Sequence, residues 1–130
     1  MLIRKIVLQN FMSHTSSTIE LPRLGIVLVT GPNGSGKSSL AEAVATGVWG
    51  KTLRGSSPWV DDTKGSVTVE ADLESKSVSF CRNASKKGKA IATFDPAPTT
   101  YSTASKTQVA IDGIVGPFDI WRKCSVFSSQ

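Results

Sequence analysis

Alternating apolar and polar positions open the chain and predict a β-hairpin. Residues 2–11 carry apolar side chains at both odd and even positions, which predicts a strand buried on both sides for part of its length. Residues 17–21 form a shorter alternating run that ends at Pro22, so they predict a partner strand. Residues 12–15 are predicted to form the turn between the two strands.

Three further stretches in the second half predict an antiparallel sheet. Residues 66–73 and 77–81 alternate cleanly and are separated by a short polar segment, as in a hairpin. Residues 90–94 predict another strand. Residues 95–105 contain two prolines among serines and threonines and predict an exposed loop.

The end of the chain predicts one more strand and a short helix. Residues 107–111 alternate and precede Asp112-Gly113, which predicts a last hairpin strand and its turn. Pro117 is suited to begin a helix, with Phe118 and Trp121 facing inward.

One glycine-rich segment carries most of the chemistry. Gly31-Pro32-Asn33-Gly34-Ser35-Gly36-Lys37-Ser38 fits the P-loop pattern G-x-x-x-x-G-K-[ST] at every fixed position. The apolar run 25–30 before it predicts a buried strand, and residues 39–49 after it predict a helix with Leu40, Val44 and Val48 on one face. Strand, glycine-rich turn and helix is the arrangement that a P-loop requires.

The residue types of this segment suit nucleotide phosphates. Gly34 and Gly36 let the backbone N–H groups approach the β-phosphate, and the following helix adds its free N–H groups. Lys37 reaches the β- and γ-phosphates, and the Ser38 hydroxyl suits Mg²⁺. The predicted phosphate-binding residues are Asn33, Gly34, Ser35, Gly36, Lys37, Ser38 and Ser39. A dinucleotide-binding site is disfavoured, because Gly31-Pro32-Asn33 lacks the G-x-G opening.

Composition and charge narrow the possibilities further. The chain has 130 residues, enough for one domain or part of one, and no apolar run approaches the roughly 20 residues of a membrane span. Its N-terminus resembles a strand and not a signal peptide. Cys81 and Cys124 lack metal-type spacing and predict reduced thiols in a cytosolic protein.

The net charge of +5 mildly favours polyanionic partners. Residues 82–89 predict a polar turn with four cations, Arg82, Lys86, Lys87 and Lys89. This turn is a candidate contact for a polyanionic partner. The alternative interpretation is a solvated basic surface.

The order of these features resembles one family, the N-terminal half of an SMC-type ATPase head, and within it the SbcC-like branch of double-strand-break-repair ATPases. The resemblance rests on Ile6-x-Leu8-x-Asn10-Phe11-x-Ser13-His14, on the P-loop followed by Ser39-Leu40-x-Glu42-Ala43-Val44, on Trp49-Gly50 and Leu53-Arg54-Gly55, and on Phe118-Asp119-Ile120-Trp121 with Val126-Phe127-Ser128-Ser129-Gln130. It covers the first 55 residues well and the last dozen moderately.

The resemblance implies an α/β fold, the N-terminal lobe of a P-loop NTPase of the ABC ATPase type, with an antiparallel β-subdomain and few helices. Residues 1–55 would form the P-loop core and residues 56–116 the β-subdomain. Residues 117–130 would form a helix leading into the Q-loop.

The resemblance also implies residue roles. Lys37 and Gln130 would be catalytic. Gln130 would be the Q-loop glutamine, which contacts Mg²⁺ or the attacking water. Ser38 and Gln130 would therefore be the two metal ligands. Arg54, Ser13 and His14 would approach the nucleotide, whereas Met12 stands where many relatives place a basic residue. The alternatives are a polar residue at the chain end for Gln130 and surface residues for Arg54 and His14.

Function and partners follow as expectations from the same resemblance. The implied cofactors are ATP and Mg²⁺. The implied partners are the C-terminal half of the head, a second ATPase head, a nuclease subunit and DNA. No membrane partner is expected. The expected location is cytoplasmic and nucleoid-associated, or nuclear in a eukaryote.

The sequence contains no Walker B, signature or switch-histidine motif, so hydrolysis by this chain alone should be negligible. The alternatives are the nucleotide-binding domain of a membrane transporter and a non-catalytic fragment with a vestigial P-loop.

Overall fold

The computed structural model describes residues 2–12, 14–23, 39–53, 64–73, 76–84, 90–94, 98–99 and 104–125. In chain order the elements are β1 (Leu2–Phe11), β2 (His14–Glu20), α1 (Ser39–Val44), a π-helical segment (Ala45–Trp49), β3 (Ser66–Leu73), β4 (Lys76–Asn83), β5 (Ala90–Phe94), β6 (Pro98–Thr99), α2 (Ala104–Val115) and α3 (Phe118–Ser125).

The strands form one six-stranded sheet in the order β2-β1-β3-β4-β5-β6, and every neighbouring pair is antiparallel. This arrangement confirms the predicted hairpins β1–β2 and β3–β4 and the predicted strand at residues 90–94. The predicted turn at residues 12–15 is too long, because strand pairing with β1 already includes His14, where β2 begins. The predicted P-loop strand at residues 25–30 lies outside the described residues.

One face of the sheet carries the core. Ile6 pairs with Val69, and Val69 pairs with Phe80, so a row of buried side chains crosses three strands. On the other face of β1, Ile3 and Val7 are only partly buried, so the predicted burial on both sides is incomplete. Antiparallel sheets commonly pack one face and expose the other to solvent.

The end of β1 departs from simple alternation. Leu8 and Phe11 are both fully buried although they stand at even and odd positions. Asn10 lies between them with a φ of 48°, in the left-handed region that non-glycine residues seldom adopt. This conformation interrupts the alternation, so that Phe11 also reaches the core.

The predicted helix at residues 39–49 is confirmed, but only its first half is α-helical. The second half, Ala45–Trp49, is π-helical and ends at Gly50, whose φ is 68°. The two segments together are called the P-loop helix below. A Cβ atom on Gly47 would lie 2.9 Å from methyl groups of both Val67 and Val69, so the missing side chain allows this helix to approach β3 closely.

The strand predicted at residues 107–111 and the turn predicted at Asp112-Gly113 are wrong, because these residues lie within helix α2. In a strand Thr107, Val109 and Ile111 would share one face. In the structure Thr107 and Ile111 are fully buried whereas Val109 is 74% exposed. Burial at positions i and i+4 is the helical period, which five residues of polar and apolar alternation do not distinguish from a strand.

Two smaller differences concern the connections. Residues 98–99 of the predicted loop 95–105 form the short strand β6, and α2 begins at Ala104. Strand β4 continues through Asn83, so Arg82 belongs to a strand and not to a turn.

The short helix after Pro117 is confirmed as α3, with Phe118 buried and Trp121 partly buried. Among the described residues, no helix is both long and apolar enough to cross a membrane.

Candidate nucleotide site

The structure describes two of the predicted site residues, His14 and Ser39. The others lie outside the described residues: Ser13, Asn33, Gly34, Ser35, Gly36, Lys37, Ser38, Arg54 and Gln130. The structure therefore describes elements that precede and follow these positions in the sequence, and not the predicted phosphate-binding segment itself.

Ser39 is the first residue of α1 and is 2% exposed. The helix thus begins directly after Lys37 and Ser38 in the sequence, where a P-loop requires a helix to start. The buried position of Ser39 places the beginning of this helix against the rest of the fold.

The P-loop helix rests firmly on the sheet. Ala43 and Val48 are fully buried, and Val44 is 5% exposed. Together with Gly47, which allows the close approach to β3, these residues fix the helix to the core-facing side of the sheet. A rigid support of this kind suits a binding turn that must hold several N–H groups in one geometry.

Glu42 is a buried acidic residue to which the sequence reasoning assigned no role. Its carboxylate is 3% exposed, and Oε2 accepts a hydrogen bond from the backbone N–H of Leu53 at 2.9 Å. Leu53 directly precedes Arg54, so the buried carboxylate holds the segment that leads to this candidate phosphate contact. The sequence feature that could have indicated this contact is a single acidic residue among the small and apolar residues of the helix.

His14 is integrated into the β1–β2 hairpin. Its Nδ1 lies 2.8 Å from the Ser17 hydroxyl, and its backbone pairs with Phe11. Met12 has a φ of 50°, and the Asn10 amide donates a hydrogen bond to the Lys64 carbonyl at 3.2 Å. These contacts hold the start of β2 next to the end of β1, and His14 is partly buried.

Arg82 does not belong to a solvated basic turn, which corrects the expectation for this residue. Its Nη2 donates a hydrogen bond to Oε1 of Gln108 on α2, and Gln108 in turn donates to Asp112 at 2.9 Å. Burial lowers the pKa of the Arg82 guanidinium, and the charge of Asp112 partly opposes that shift. Lys86, Lys87 and Lys89 lie outside the described residues.

Two observations concern the cysteines and metals. Cys81 is a free, partly buried thiol on β4, and the side chain of Cys124 is not described. Within the described ranges no group of three or more His, Cys, Asp or Glu side chains could hold a metal ion. The predicted metal ligands Ser38 and Gln130 are outside these ranges.

Several curated proteins are similar to part of this chain. A DNA double-strand break repair Rad50 ATPase from Methanocaldococcus jannaschii is 45% identical over 78 residues, which are 57% of this chain and 7% of that protein. The corresponding Rad50 ATPase from Thermoplasma volcanium is 34% identical over 98 residues, which are 72% of this chain and 11% of that protein. The chain therefore spans about a tenth of the length of these relatives.

Solved structures support the same fold. One, from work on ATP-driven dimerization and DNA stimulated activation of SMC ATPases, superposes with a TM-score of 0.67 at 17% identity and covers 99% of this chain and 87% of that chain. The SMC head domain from Thermotoga maritima gives a TM-score of 0.52 at 18% identity, over 98% of this chain and 52% of that chain. Because both identities are below 25%, these similarities support the fold alone.

The family assignment rests on most of the chain. Residues 5–114 match the AAA domain family, and this range includes the P-loop, the P-loop helix, most of the sheet and nearly all of α2. The chain therefore belongs to the AAA domain family and has the fold of an SMC ATPase head lobe, with a P-loop motif set between a hairpin and a helix docked on an antiparallel sheet.

Proposed function

We propose that this chain is the ATP-binding N-terminal lobe of a DNA double-strand-break-repair ATPase. The observation that carries the proposal is the complete P-loop sequence placed immediately before a helix that starts at Ser39 and docks on the sheet of an SMC-head fold. The similarity to Rad50 ATPases supports the repair branch of the family.

In this proposal the chain supplies the phosphate cradle. The backbone N–H groups from Asn33 to Ser39 bind the β-phosphate, and Lys37 contacts the β- and γ-phosphates. Ser38 and Gln130 hold Mg²⁺, which screens the charge of the phosphates. Glu42, through the Leu53 N–H, directs the following segment so that Arg54 reaches the phosphates.

His14 and Ser13 complete the proposed nucleotide environment from the hairpin turn. The contact of His14 with Ser17 holds the imidazole in place, so that the turn presents one fixed surface. Preorganisation of this kind lowers the entropic cost of ordering side chains when the ligand binds.

The wider assembly is also part of the proposal. A C-terminal half of the head would supply the residues that position and activate water, so this chain alone binds ATP without appreciable turnover. Two complete heads would enclose ATP and gate access of DNA and a nuclease subunit, in the cytoplasm near the nucleoid or in a nucleus.

The proposal predicts that the chain binds ATP-Mg²⁺ in calorimetric titration. Lys37→Ala should lower the affinity by roughly 10- to 100-fold, because it removes charge-assisted hydrogen bonds of about 1.5–3 kcal/mol. Lys123→Ala is the matched control, since Lys123 is an exposed lysine on α3 and should leave the affinity unchanged. Steady turnover by the chain, or equal affinity in the parent and in Lys37→Ala, would contradict the proposal.

A further inference from the structure

Three aromatic rings join the end of the P-loop helix to helix α3. The ring centroid of Trp49 lies 4.8 Å from that of Trp121 and 5.9 Å from that of Phe118, and the centroids of Phe118 and Trp121 are 6.0 Å apart. Trp49 and Phe118 are 4% and 7% exposed. These distances are typical of favourable aromatic pairs. The three rings are called the aromatic junction below.

A hydrogen bond fixes the junction to the backbone. The indole N–H of Trp49 donates to the carbonyl of Gly116 at 2.9 Å, and Gly116 connects α2 to α3. The Lys51 ammonium lies 5.5 Å from the centre of the Phe118 ring. The end of the P-loop helix is therefore attached to the start of α3.

A second contact braces the same end of the P-loop helix against α2. Gly50 lies beneath the Arg82 guanidinium, so closely that a Cβ atom on Gly50 would be 2.7 Å from Cζ of Arg82. Arg82 in turn bonds to Gln108, and the Gly116 N–H bonds to the Asp112 carbonyl at 2.9 Å. Both helices that follow the sheet are thus tied to one point, the end of the P-loop helix.

The π-helical segment ends in a hydrogen bond with two acceptors. The Gly50 N–H is shared between the Thr46 carbonyl, at 2.9 Å and in the α-helical position, and the Ala45 carbonyl, in the π-helical position. Exchange between the two acceptors needs only a small movement. Such a movement would shift Trp49 relative to Gly116 and α3, and short π segments in helices frequently mark functional positions.

We propose that the aromatic junction couples occupancy of the P-loop to the position of helix α3, with Trp49 as the positioning residue. The P-loop directly precedes one end of the P-loop helix in the sequence, and the junction is at the other end. Phosphate bound beside the first turn of the P-loop helix would bias the π segment, and Trp49 would transmit that bias to α3. The inference rests on the proposed function, because it needs a P-loop that binds nucleotide.

The two indoles provide a direct spectroscopic test. Trp49 and Trp121 lie 4.8 Å apart at an interplanar angle of 33°, so their electronic transitions couple and give circular dichroism bands of opposite sign. A Trp59→Phe background leaves these as the only two tryptophans of the chain. We expect the amplitude of this couplet to change during titration with ATP-Mg²⁺, with the same midpoint as calorimetric binding. Lys37→Ala should abolish the change.

Variants of the junction test the reverse direction of the coupling. Because coupling between two sites is reciprocal, Trp49→Leu should change the affinity for ATP by at least about fivefold, and Trp49→Phe should restore most of it by keeping an aromatic ring. Ile120→Ala is the control on the same helix, since Ile120 is 60% exposed and lies outside the junction.

The outcomes separate the inference from the proposed function. Calorimetric binding of ATP-Mg²⁺ with an unchanged couplet would overturn the coupling and leave the proposed function standing. Absence of binding in the parent would overturn both. If Trp49→Leu does not fold, the titration of the unaltered junction and of Trp49→Phe still decides the question.

Discussion

At the scale of single residues, one absent methyl group sets the distance between the P-loop helix and the sheet. Gly47 faces Val67 and Val69, and a Cβ atom there would lie 2.9 Å from a methyl group of each valine. Both valines are fully buried, so neither can move aside without disturbing the core. Glycine usually weakens a helix, and here close packing offsets that cost.

Gly47→Ala should therefore destabilise the chain although alanine is the better helix former. Overpacking a core costs typically 1–3 kcal/mol, against which the gain in helix propensity is about 1 kcal/mol. We expect a net loss of about 1 kcal/mol in the free energy of unfolding, measured by urea denaturation.

Gly113→Ala is the matched control for this prediction. Gly113 lies within α2, and a Cβ atom there would meet nothing within 4 Å. This substitution should raise the free energy of unfolding by about 0.5–1 kcal/mol. An equal stabilisation by both alanines would show that Gly47 is not constrained by the sheet.

Arg82 is a second residue whose role depends on its surroundings. Arg82→Gln should lower the free energy of unfolding by about 1–3 kcal/mol, because its hydrogen-bond partner Gln108 loses a charged donor in a partly buried site. Arg122→Gln, an exposed change on α3, should have little effect. If Arg82 contacts DNA instead, Arg82→Gln would reduce the salt dependence of DNA binding and leave the stability unchanged.

At the scale of elements, an ion pair links β1 to β3 near the start of the chain. Nη1 of Arg4 lies 3.1 Å from Oδ2 of Asp72, beside an irregularity in the strand register between Ile3 and Lys5. The hydrogen bond from Arg4 is the main reason why the pKa of Asp72 is below its usual value of 3.8, and the Ser77 hydroxyl adds to the effect.

The sign of this shift predicts how the pair responds to acid. A carboxyl group with a lowered pKa in the folded state stabilises the fold above its unfolded pKa, and this contribution is lost as pH falls through the folded pKa. Asp72→Asn should therefore lower the melting temperature at neutral pH and have little effect at a pH below the folded pKa of Asp72. Asp119→Asn, an exposed change on α3, serves as the control. If the melting temperatures of Asp72→Asn and the parent still differed at a pH below the folded pKa of Asp72, this explanation would be contradicted.

The elements also show which patterns in the sequence were sufficient to predict secondary structure. Strands β1, β3 and β4 were predicted because each alternates over several residues and packs one face on the core, and β5 was predicted from a five-residue run. Helix α2 was missed because its alternating residues 107–111 are too few to separate a period of 2 from a period of 3.6. Tertiary packing resolved that ambiguity by burying Thr107 and Ile111 on one side of a helix.

At the scale of the whole molecule, apolar residues remain exposed on α2 and α3. Among the described residues, three of the four large exposed hydrophobic side chains are Val109, Ile114 and Ile120 on these helices. Half of an ATPase head is expected to leave apolar surface where its other half belongs. That the exposed side chains of α2 and α3 meet such a half is a prediction.

The sequence by itself determined the P-loop, the helix after it, the two hairpins and the family, because these depend on local residue types and spacings that allow few alternatives. The tertiary structure decided what depends on partners distant in the sequence. It placed Arg82 against Gln108, the Glu42 carboxylate on the Leu53 N–H, and Trp49 against Trp121. No local pattern specifies such pairs, since only the folded sheet and its helices bring their atoms within contact distance.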